Sequence, residues 1–525
     1  MDGSIPRLDQ LYRLKKQYNF TLYCDEAHSF LSIGQTGRGC LEFWNEGHPD
    51  APLPSDMIDI RTATLSKAIG GIGGLVCGKA KFENAVRERM EQLHAQGEEP
   101  LSCSTMVQTL WVLGQPTRAA RHIQRLRDMA RFCRNELARF GIYVYGDATI
   151  PVLPVHTGRP SLAAKLSYTL RQHGLLATAI SYPAVAFWQS RVRITLSADH
   201  SDSEIDKLLD AVINAAQIVG LIKKPSLKRR PYTYDSPSID QSTIECSEAS
   251  QTYNKILTLI HSSATNSHSP EHTWSVSVTQ SGHRSRSVYG LGSGGSRWIS
   301  GAFPPHLAVE SLVARLTGME AALTYADSSI GLASTIASLC RPLIGYTSHY
   351  LLIPVDAPGP VEDGLLIAPR KAAPIVFKYT DLPDLFRLSR ELSNKNKSKT
   401  YLTIYLNTNH NNTLLDMPST LYQLSNHKPH TTGLTLLLHC PNSRIASIPP
   451  TFNLNQKLPN TQLLITGSFY HMFGLAGAYL AGSTTLIGEL RYTSRGYMFT
   501  TSPQPFAMSM VQTLLEERLA GECTP

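Results

Sequence analysis

Apolar and polar positions alternate along the first 220 residues with the periods of short strands and amphipathic helices. The apolar-rich run "FTLYC" (20–24) ends at an acid and predicts a buried parallel strand. Residues 116–141 place apolar side chains at helical spacing and end at a glycine, so they predict an amphipathic helix. Its apolar face comprises Ile123, Leu126, Ala130, Cys133 and Leu137. Residues 201–216 predict a second helix, which opens with a capping box from Ser203 to Asp206.

The alternation stops and then returns. Residues 221–285 are rich in Ser, Thr, Pro, Lys and Arg, a composition that predicts a linker. Residues 286–525 again alternate between strand and helix patterns. The chain therefore predicts two α/β domains, 1–220 and 286–525, joined by the linker.

Composition and charge narrow the class of protein. The chain has 525 residues, 42% of them apolar and 17% charged, which is ordinary for a soluble globular protein of two or three domains. The net charge is +8. Five of the positive charges lie together, at Lys223, Lys224, Lys228, Arg229 and Arg230. A solvated linker explains this cluster better than binding to nucleic acid or to acidic headgroups.

Cysteine usage and hydropathy bear on the compartment. The nine cysteines lack CxxC spacing, which favours a reducing compartment over a disulfide framework or a zinc site. The sequence shows no secretory signal and no apolar run of the roughly 18 residues that a spanning helix needs. We therefore expect a cytoplasmic protein without a transmembrane segment.

The chain repeats itself at a constant offset of 404 residues. "TLSKAIGGIGGLVCG" (64–78) lies over "SFYHMFGLAGAYLAG" (468–482), and three glycines coincide. At the same offset "MVQTL" (106–110) meets "MVQTL" (510–514). We interpret the chain as parts of two homologous units.

The repeat loses a set of ionisable side chains. A further shift of ten residues places "TLYCDEAHSF" (21–30) over "TLLLHCPNSR" (435–444). The corresponding pairs are Asp25 and His439, His28 and Asn442, and Lys67 and His471. The joint loss suggests that the aspartate, the histidine and the lysine act as a unit in the first copy.

Two chemistries compete for this motif. "GGLVCGKA" (73–80) matches a phosphate-binding loop as far as its lysine, but alanine stands where an ATPase needs a hydroxyl for Mg²⁺, and the motif order is reversed. A pyridoxal phosphate site fits better, because it needs a lysine for a Schiff base and a carboxylate at the pyridine nitrogen. Lys67 and Asp25 supply these groups. Thr64, at the end of the strand-like "DIRTAT", offers a hydroxyl to the phosphate.

At these residues the chain resembles the α-oxoamine synthases, pyridoxal phosphate enzymes of the class II aminotransferase type that include serine palmitoyltransferase. The first copy carries "DEAHSF", "GQTGRG", "TLSKAIGGIGG" and "RVRITLSADHS" (191–201). The second carries "YGLGSGGSRWISG" (289–301), "GMEAALTY" (318–325) and "LRYTSRGYMFTTS" (490–502). The resemblance implies an α/β fold of type I, a mostly parallel sheet flanked by helices, in two partial homologous copies.

The resemblance also implies a role for each site residue. Lys67 forms the Schiff base and removes the α-proton, Asp25 pairs with the pyridine nitrogen, and His28 hydrogen-bonds the cofactor's phenolic oxygen. Thr64 binds the phosphate. Arg193 holds the carboxylate of the amino acid, with a surface ion pair as its alternative. The implied reaction is a decarboxylative condensation of an amino acid with an acyl thioester, which gives an α-amino ketone.

Members of this family are dimers in which a Ser/Thr-rich turn of one subunit reaches the phosphate held by the other. The second copy has such a turn, "FTTS" (499–502), with Thr500 and Thr501 as candidates. The first copy has "AQGE" (95–98) instead. The resemblance therefore implies an intramolecular pseudo-dimer or a homodimer, similar to a fused serine palmitoyltransferase. An ordinary strand-edge turn is the alternative for "FTTS".

The chain departs from the family pattern at both ends and within the second copy. The first copy begins in mid-domain and the second stops before the small C-terminal domain, so we expect a truncated tandem synthase, which is either a natural fragment or an incomplete gene model. In the second copy, Ser328 replaces a glycine of the phosphate-cradling loop, and Pro358 stands in place of the histidine that stacks on the cofactor.

Several alternatives stay open. The acyl donor is a fatty acyl-CoA, as for sphingoid bases, or a carrier-bound polyketide chain, as for the sphinganine-like metabolites of fungal tandem synthases. The amino acid is serine, alanine, glycine or aminomalonate. One rival function is a non-catalytic partner of an intact synthase, and another is an aminotransferase, which would release no CO₂. Association with the cytosolic face of the endoplasmic reticulum is the alternative location.

Overall fold

The computed structural model groups the chain into two compact units. It describes residues 2–95, 101, 103–182, 184–223, 227–234, 275–341, 343–369, 374–395, 399–408, 419–420, 423–424, 433–440 and 461–520. The first unit comprises the described residues of Met1–Ile69, Gly74–Glu83 and Val107–Ser267, and the second those of Gly70–Gly73, Asn84–Met106 and His268–Pro525. The described residues among 70–73 and 84–106 thus group with the second unit, although the sequence assigned these ranges to the first domain. Residues 235–274, most of the predicted linker, lie outside the described residues.

Short strands and longer helices alternate up to residue 220, as predicted. The helices are α1 (Leu8–Tyr18), α2 (Cys40–Gly47), α3 (Ala80–Ala95), α4 (Cys103–Leu113), α5 (Pro116–Arg139), α6 (Pro160–Gln172) and α7 (Asp202–Ile218). The strands are β1 (Tyr23–Asp25), β2 (Ile60–Thr64), β3 (Gly74–Gly78), β4 (Val152–Gly158), β5 (Thr178–Ile180) and β6 (Ser190–Thr195). They form two three-stranded sheets, β1-β2-β3 and β4-β6-β5.

Strand β1 is parallel to β2, as the sequence predicted, but it is not buried. Tyr23 is 56% exposed, Phe20 lies before the strand and is exposed, and only Cys24 is partly covered. The reason is the position of β1 at the edge of its sheet, where one side has no neighbouring strand among the described residues. The apolar run therefore predicted a strand correctly, but the prediction that this strand is buried was wrong.

The two long helices of the first unit follow the predicted patterns. On α5, Ile123, Ala130, Cys133 and Leu137 are buried and Leu126 is partly buried, and Gly141 after the helix has a φ of +78°. On α7 the capping box lies two residues earlier than predicted. The Ser201 hydroxyl accepts the Glu204 N–H, and the Glu204 carboxylate accepts the Ser201 N–H, so Ser203 and Asp206 are not the pair.

Both described ends of the predicted linker are ordered. Arg229 donates to the carboxylates of Asp206 and Asp210 on α7, at 2.6 and 2.7 Å, so this member of the basic cluster is neutralised within the first unit. At the other end, helix α8 (Val276–Tyr289) begins inside the range assigned to the linker. In the part of the chain that the structure describes, no helix is long and apolar enough to cross a membrane.

The second unit contains a larger sheet. Its other helices are α9 (Pro304–Thr317), α10 (Ser328–Leu339), α11 (Gly359–Ile367), α12 (Leu382–Lys395), α13 (Phe469–Phe473), α14 (Thr484–Thr493), α15 (Arg495–Phe499) and α16 (Pro505–Ala520). Its strands are β7 (Ala321–Tyr325), β8 (Ser348–Pro354), β9 (Ile375–Tyr379), β10 (Thr400–Asn407), β11 (Gly433–Cys440), β12 (Thr461–Ser468) and β13 (Ala478–Gly482).

These seven strands form one mostly parallel sheet in the order β7-β13-β12-β11-β10-β8-β9, in which β13 alone runs antiparallel to its neighbours. Successive side chains of β11 enter different cores, because Leu436 and Leu438 pack in one cluster and Leu437 packs in another. Apolar cores therefore cover both faces of the sheet, as in α/β folds. The predicted fold class, a mostly parallel sheet flanked by helices, is confirmed.

Strand register in the two units follows the offset found in the sequence. In the first unit Ile60 pairs with Gly78, and in the second Leu464 pairs with Gly482, each 404 residues later. The parallel strand pairs, β1 with β2 and β11 with β12, also place corresponding residues of the sequence repeat opposite each other. Asp25 lies opposite Thr62, and His439 lies opposite Thr466. The same two-strand pairing, with the same register, thus occurs at both positions of the sequence repeat.

Candidate active site

Asp25 lies at the carboxyl end of β1, next to Thr62 on β2. Its carboxylate accepts the N–H of Ala27 at 2.9 Å and remains exposed to solvent. The next residue has a different task. Glu26 is buried and accepts the hydroxyl of Ser29 and the N–H of Cys40, which folds the following turns back onto β1. Within "DEAH", the glutamate therefore shapes the loop while Asp25 stays available for a ligand.

Lys67 lies in the turn that follows β2. Leu65 and Ile69, on either side of it, are each 3% exposed and anchor the turn in the core. The hydroxyls of Thr64 and Ser66 lie 2.6 Å apart, and Thr64 also accepts the Ser66 N–H. The turn thus holds two neighbouring hydroxyls and leaves the Lys67 side chain exposed. Ser66 was not identified from the sequence, because one serine in a turn carries no pattern.

Arg193 reaches the same unit from the other sheet. It lies on the central strand β6, opposite Pro154 on β4 and Thr178 on β5. Val192 and Ile194 are buried, so alternation directs Arg193 away from the apolar core. The arginine is half-buried and has no ion pair among the described residues. The absence of this pair does not match the surface ion pair that was the alternative role for Arg193. A half-buried guanidinium without an ion pair is suited to binding an anionic ligand.

Asp25, His28, Lys67 and Arg193 are close enough for their charges to interact. Exclusion of water by surrounding protein lowers the pKa of His28 to about 4, with help from the positive charges of Lys67 and Arg193 and against the charge of Asp25. Although the Lys67 side chain is exposed at the surface, surrounding protein removes part of its hydration and lowers the pKa of its ammonium; the charge of Asp25 opposes this shift and the charge of Arg193 reinforces it. At neutral pH the site therefore offers an uncharged imidazole and a lysine that loses its proton more easily than usual.

A second arginine supports this strand and was missed by sequence reasoning. Arg191 is buried, its guanidinium stacks on the ring of Tyr145 at 4.2 Å, and its Nε donates to the carbonyl of Gln189. The Tyr145 hydroxyl lies 2.6 Å from Nδ1 of His156. The pattern "RVR" signals two arginines on one strand face, but their different burial depends on neighbours distant in sequence.

Thr500 and Thr501 belong to the second unit. Thr501 forms an isolated antiparallel bridge with Ser296, and the Ser502 N–H donates to the carbonyl of Gly295 at 3.0 Å. The turn is therefore fixed against the glycine-rich stretch of its own unit. Its contact with a cofactor phosphate stays a prediction. "AQGE", apart from Ala95, lies outside the described residues.

The corresponding positions of the second unit are unsuited to the same cofactor. His439, in the place of Asp25, is buried and lies 2.7 Å from the hydroxyl of Tyr405. Burial, with a smaller contribution from His471, lowers the pKa of His439 to about 4. A neutral imidazole cannot act as the carboxylate partner of a pyridinium. Asn442, the counterpart of His28, lies outside the described residues.

The stretch of the second unit that the resemblance matches to a phosphate-cradling loop is also unsuited to a phosphate. The Asp327 carboxylate caps α10 and accepts the Ile330 N–H at 2.7 Å, next to the predicted glycine replacement at Ser328. A carboxylate at this helix start repels a phosphate and occupies a backbone donor that a phosphate would need. Pro358 caps α11 and has no group that stacks as a histidine does.

The ATPase alternative finds no support in the geometry. The residues that match a phosphate-binding loop form strand β3 itself, which pairs antiparallel with β2 from Gly74 to Gly78. In a phosphate-binding loop these residues would form a turn between a strand and a helix, with their N–H groups free for the anion. Among the described residues there is also no cluster of three or more His, Cys, Asp or Glu side chains able to hold a metal ion.

We expect Arg193→Ala to raise the pKa of Lys67, because the guanidinium disfavours the neighbouring ammonium. Asp25→Asn should lower it further, since Asp25 favours the ammonium. Competitive acetylation of the full chain across a pH series, read by mass spectrometry at Lys67, measures both shifts. Arg171→Ala, on α6, serves as the charge-matched control. Shifts of equal sign in Arg193→Ala and Asp25→Asn would contradict the arrangement.

Comparison with known proteins agrees with this chemistry. A family model described as aminotransferase class I and II matches residues 1–212. Aminotransferase FUM8 of Gibberella moniliformis is 27% identical and covers 97% of this chain and 98% of its own length. Aminotransferase ALT4 of Alternaria alternata is 24% identical over 99% of this chain and 68% of its own length. Serine palmitoyltransferase 3 of Homo sapiens is 27% identical, and the match spans 46% of this chain and 43% of that protein.

Solved structures of serine palmitoyltransferase also match. One from Sphingomonas wittichii has a TM-score of 0.38 and 17% identity, over 47% of this chain and 59% of that chain. The family model and the similarity to serine palmitoyltransferase indicate pyridoxal phosphate as the cofactor. Residues 1–212 are therefore similar to the aminotransferase class I and II family, and the chain is similar to aminotransferase FUM8 and to serine palmitoyltransferases.

Proposed function

We propose that this protein condenses an amino acid with an acyl thioester, with loss of CO₂, to give an α-amino ketone. The observation that carries the proposal is the grouping of Lys67, Asp25, His28 and Arg193 within one unit, with interacting charges. Similarity to serine palmitoyltransferase supports the same reaction class. The proposed acyl donor is an acyl-CoA or a carrier-bound polyketide chain, and the amino acid stays open among serine, alanine, glycine and aminomalonate.

The residues present fit pyridoxal phosphate. Asp25 offers an exposed carboxylate for the pyridine nitrogen, and Lys67 offers an amine whose ammonium is disfavoured. Thr64 lies beside the Ser66 hydroxyl at a strand end, where a phosphate can be received. When bound, the cofactor would withdraw electrons from the α-carbon and so stabilise the negative charge left by a departing proton or carboxylate.

The protein's own groups would move the proton and orient the substrate. Arg193 binds the α-carboxylate of the amino acid through its unpaired guanidinium. Lys67 Nζ takes the α-proton, the α-carbon bonds to the thioester carbonyl carbon, and the thiolate leaves. The carboxylate held by Arg193 then departs as CO₂, and Lys67 returns a proton to the same carbon. His28, neutral at pH 7, supplies a hydrogen bond without adding charge.

We further propose that the second unit is a homologous, non-catalytic copy that serves the site of the first, as a pseudo-dimer within one chain or through a homodimer. The shared register under the 404-residue offset supports the homology. His439 and Asp327 support the loss of catalysis in the second copy. In this proposal Thr500 and Thr501 contribute hydroxyls to the phosphate of the site that contains Lys67.

An aminotransferase is the second candidate, because FUM8 and ALT4 both carry that name. It would use Lys67 and Asp25 in the same positions but needs no thioester and releases no CO₂. A non-catalytic partner of an intact synthase is the remaining rival. The retention of four interacting site residues favours catalysis over that role.

The deciding experiment combines the purified full chain with pyridoxal phosphate, carboxyl-labelled amino acids and an acyl-CoA. We expect a visible absorption band from the protein-bound cofactor and release of labelled CO₂ that requires both substrates. Amino transfer to a keto acid without CO₂ would favour the aminotransferase. A cofactor band without turnover on any substrate, or no band at all, would favour the partner role.

A further inference from the structure

The three-stranded sheet β4-β6-β5 has one apolar face and one polar face. Val192 and Ile194 on β6 are buried in the core of the first unit. Arg193 lies between them and so belongs to the opposite face of the sheet. Residues paired directly across strands share a face, so the polar face also carries Thr178 on β5 and Pro154 on β4, the two cross-strand partners of Arg193.

The polar face is closed at one end and open at the other. Two residues before Arg193, Arg191 is 2% exposed, and its partner on β5, Ile180, is 9% exposed. Arg193 and Thr178 are only partly buried. A ligand that reaches the Arg193 guanidinium at the open end of this face therefore lies beside Thr178.

The Thr178 hydroxyl is available to such a ligand. Across the residues that the structure describes, no hydrogen bond or ion pair involves this hydroxyl. Two other hydroxyls of the sheet are already engaged, because Thr157 donates to the Ser190 carbonyl at 2.8 Å and Ser190 donates to the Phe187 carbonyl at 3.0 Å. Thr178 differs from them in offering a donor that the protein itself does not use.

The spacing of the two groups fits one carboxylate. Side chains directly opposite each other on antiparallel strands have Cβ atoms about 4.5–5.5 Å apart. A guanidinium that pairs with both oxygens of a carboxylate leaves a second lone pair on each oxygen. A hydroxyl on the adjacent strand can donate to one of these lone pairs, whereas the Pro154 ring on the other side of Arg193 has no donor.

We propose that Thr178 is a further binding residue for the amino acid, and that its hydroxyl donates to the α-carboxylate with which Arg193 pairs. The inference rests on the proposed condensation and adds a residue to its amino-acid site. Because the contact is with the carboxylate and not with the side chain of the substrate, Thr178 binds serine, alanine and glycine alike. It therefore contributes to affinity for amino acids as a class and not to the choice among them.

Protection of Arg193 from phenylglyoxal tests the proposal without requiring turnover. Phenylglyoxal modifies guanidinium groups, and mass spectrometry of the full chain with pyridoxal phosphate measures the modification at Arg193. Titration with glycine, alanine or serine then gives a Kd for each amino acid. We expect Thr178→Val to raise all three Kd values about tenfold, as for the loss of one hydrogen bond to a charged group. The rate of modification without amino acid should not change, since Arg193 itself is kept.

Two substitutions at Thr178 separate the hydroxyl from the shape of the side chain. Valine keeps the branched shape that suits a strand, so the fold should hold in Thr178→Val. Serine keeps the hydroxyl and loses the branch, so Thr178→Ser should bind amino acids nearly as well as the wild type. Thr21→Val is the matched control, because Thr21 is exposed and precedes β1 at the end away from Asp25. Its Kd values should equal those of the wild type.

Three results would each overturn the proposal. They are equal Kd values for the wild type and Thr178→Val, including no protection of Arg193 in either, a loss of affinity confined to serine, and Kd values for Thr178→Ser as high as those for Thr178→Val. A loss confined to serine would place Thr178 against the substrate side chain. A loss shared by the serine variant would show that the shape of the strand, and not the hydroxyl, matters.

The release of labelled CO₂ separates this inference from the proposed function. Protection of Arg193 that depends on the Thr178 hydroxyl, without CO₂ release when an acyl thioester is added, would sustain the role of Thr178 and refute the condensation. CO₂ release together with equal Kd values for the wild type and Thr178→Val would sustain the condensation and refute the role of Thr178.

Discussion

Replacing Lys67 with alanine is expected to lower the rate of the proposed condensation by at least about 1,000-fold. Lys67 is the amine that would hold the cofactor and carry the α-proton, and loss of a positioned general base alone costs roughly 10²–10⁴-fold. Surrounding protein already lowers the pKa of this amine. The rate is measured as labelled CO₂, and attachment of the cofactor at Lys67 is measured by mass spectrometry after borohydride reduction.

Two further variants test whether the loss of rate is specific to the amine of Lys67. Lys67→Arg keeps the positive charge but removes the nucleophilic amine, so it should be as inactive as the alanine variant. Lys81→Ala, an exposed lysine on α3, should keep the wild-type rate. Activity in Lys67→Arg close to that of the wild type, or equal losses at Lys67 and Lys81, would show that Lys67 is not the reacting amine.

The stability of Lys67→Ala provides an independent check. The pKa of Lys67 in the folded protein lies below its ordinary value of 10.5, so the charged ammonium is disfavoured by folding. That cost is fully present below the folded pKa, which includes neutral pH, and it falls to zero as pH rises from the folded pKa to the unfolded value of about 10.5. We therefore expect Lys67→Ala to unfold at a temperature no lower than the wild type, which distinguishes a lost reacting group from a damaged fold.

Local patterns in the sequence were sufficient for two of the helices, α5 and α7. The apolar stripe of α5 and the periodicity of α7 depend on neighbours three and four residues apart, which the sequence contains. Even so, the cap of α7 was placed two residues late, at Ser203 and not Ser201. The stretch 201–206 holds two serines and three acids, and only backbone geometry decides which pair closes the box.

Burial of β1 could not be predicted in the same way. The runs around Tyr23 and around Leu437 look alike in sequence, yet β1 is exposed at a sheet edge and every residue of β11 is buried between β10 and β12. Burial depends on which strands lie alongside, and that information is distant in the chain. The proposed site residues were easier to select, because the repeat in the sequence retains the glycines and lacks counterparts of Asp25, His28 and Lys67.

Groups that position the site were harder to identify, since each is recognised only by its partners. Asp59, just before β2, is 6% exposed and binds three donors. It accepts the N–H of Leu22 at 2.8 Å and the ammonium of Lys79 at 2.8 Å, and it is also paired with Lys15 of α1. These contacts hold the start of β1, the end of β3 and α1 together. They lie at the opposite end of β1 and β2 from the residues Asp25 and Lys67.

Asp59→Ala is expected to destabilise the first unit by about 2 to 3 kcal/mol. The change removes a buried carboxylate, leaves the Leu22 N–H without its acceptor and leaves the largely buried Lys15 ammonium with the Met57 carbonyl but no counter-charge, while Lys79 is partly exposed and can turn to water. Hydrogen–deuterium exchange localised to residues 20–64 should accelerate in the variant. This readout reports the first unit by itself, which a single global transition in a protein of two units would not.

In the wild type, acid should remove the stabilisation that Asp59 contributes to the first unit. Burial would raise the pKa of Asp59, but the hydrogen bonds from Lys15, Lys79 and Leu22 outweigh it and hold the pKa below the usual range. The stabilisation is therefore fully present above the ordinary aspartate pKa of about 4 and is lost as pH falls through the folded value. The difference in exchange between wild type and Asp59→Ala should be constant from pH 5 to 8 and shrink in strong acid.

Asp9→Ala supplies the contrast. Asp9 also contacts two cations, Arg7 and Arg13, but both arginines are largely exposed on the surface of α1. Exposed pairs of this kind contribute little to folding, so exchange in residues 20–64 should not change. If Asp9→Ala accelerated exchange as much as Asp59→Ala, loss of any carboxylate near α1 would explain the effect. Asp59 would then have no special part in holding Asp25 and Lys67 in place.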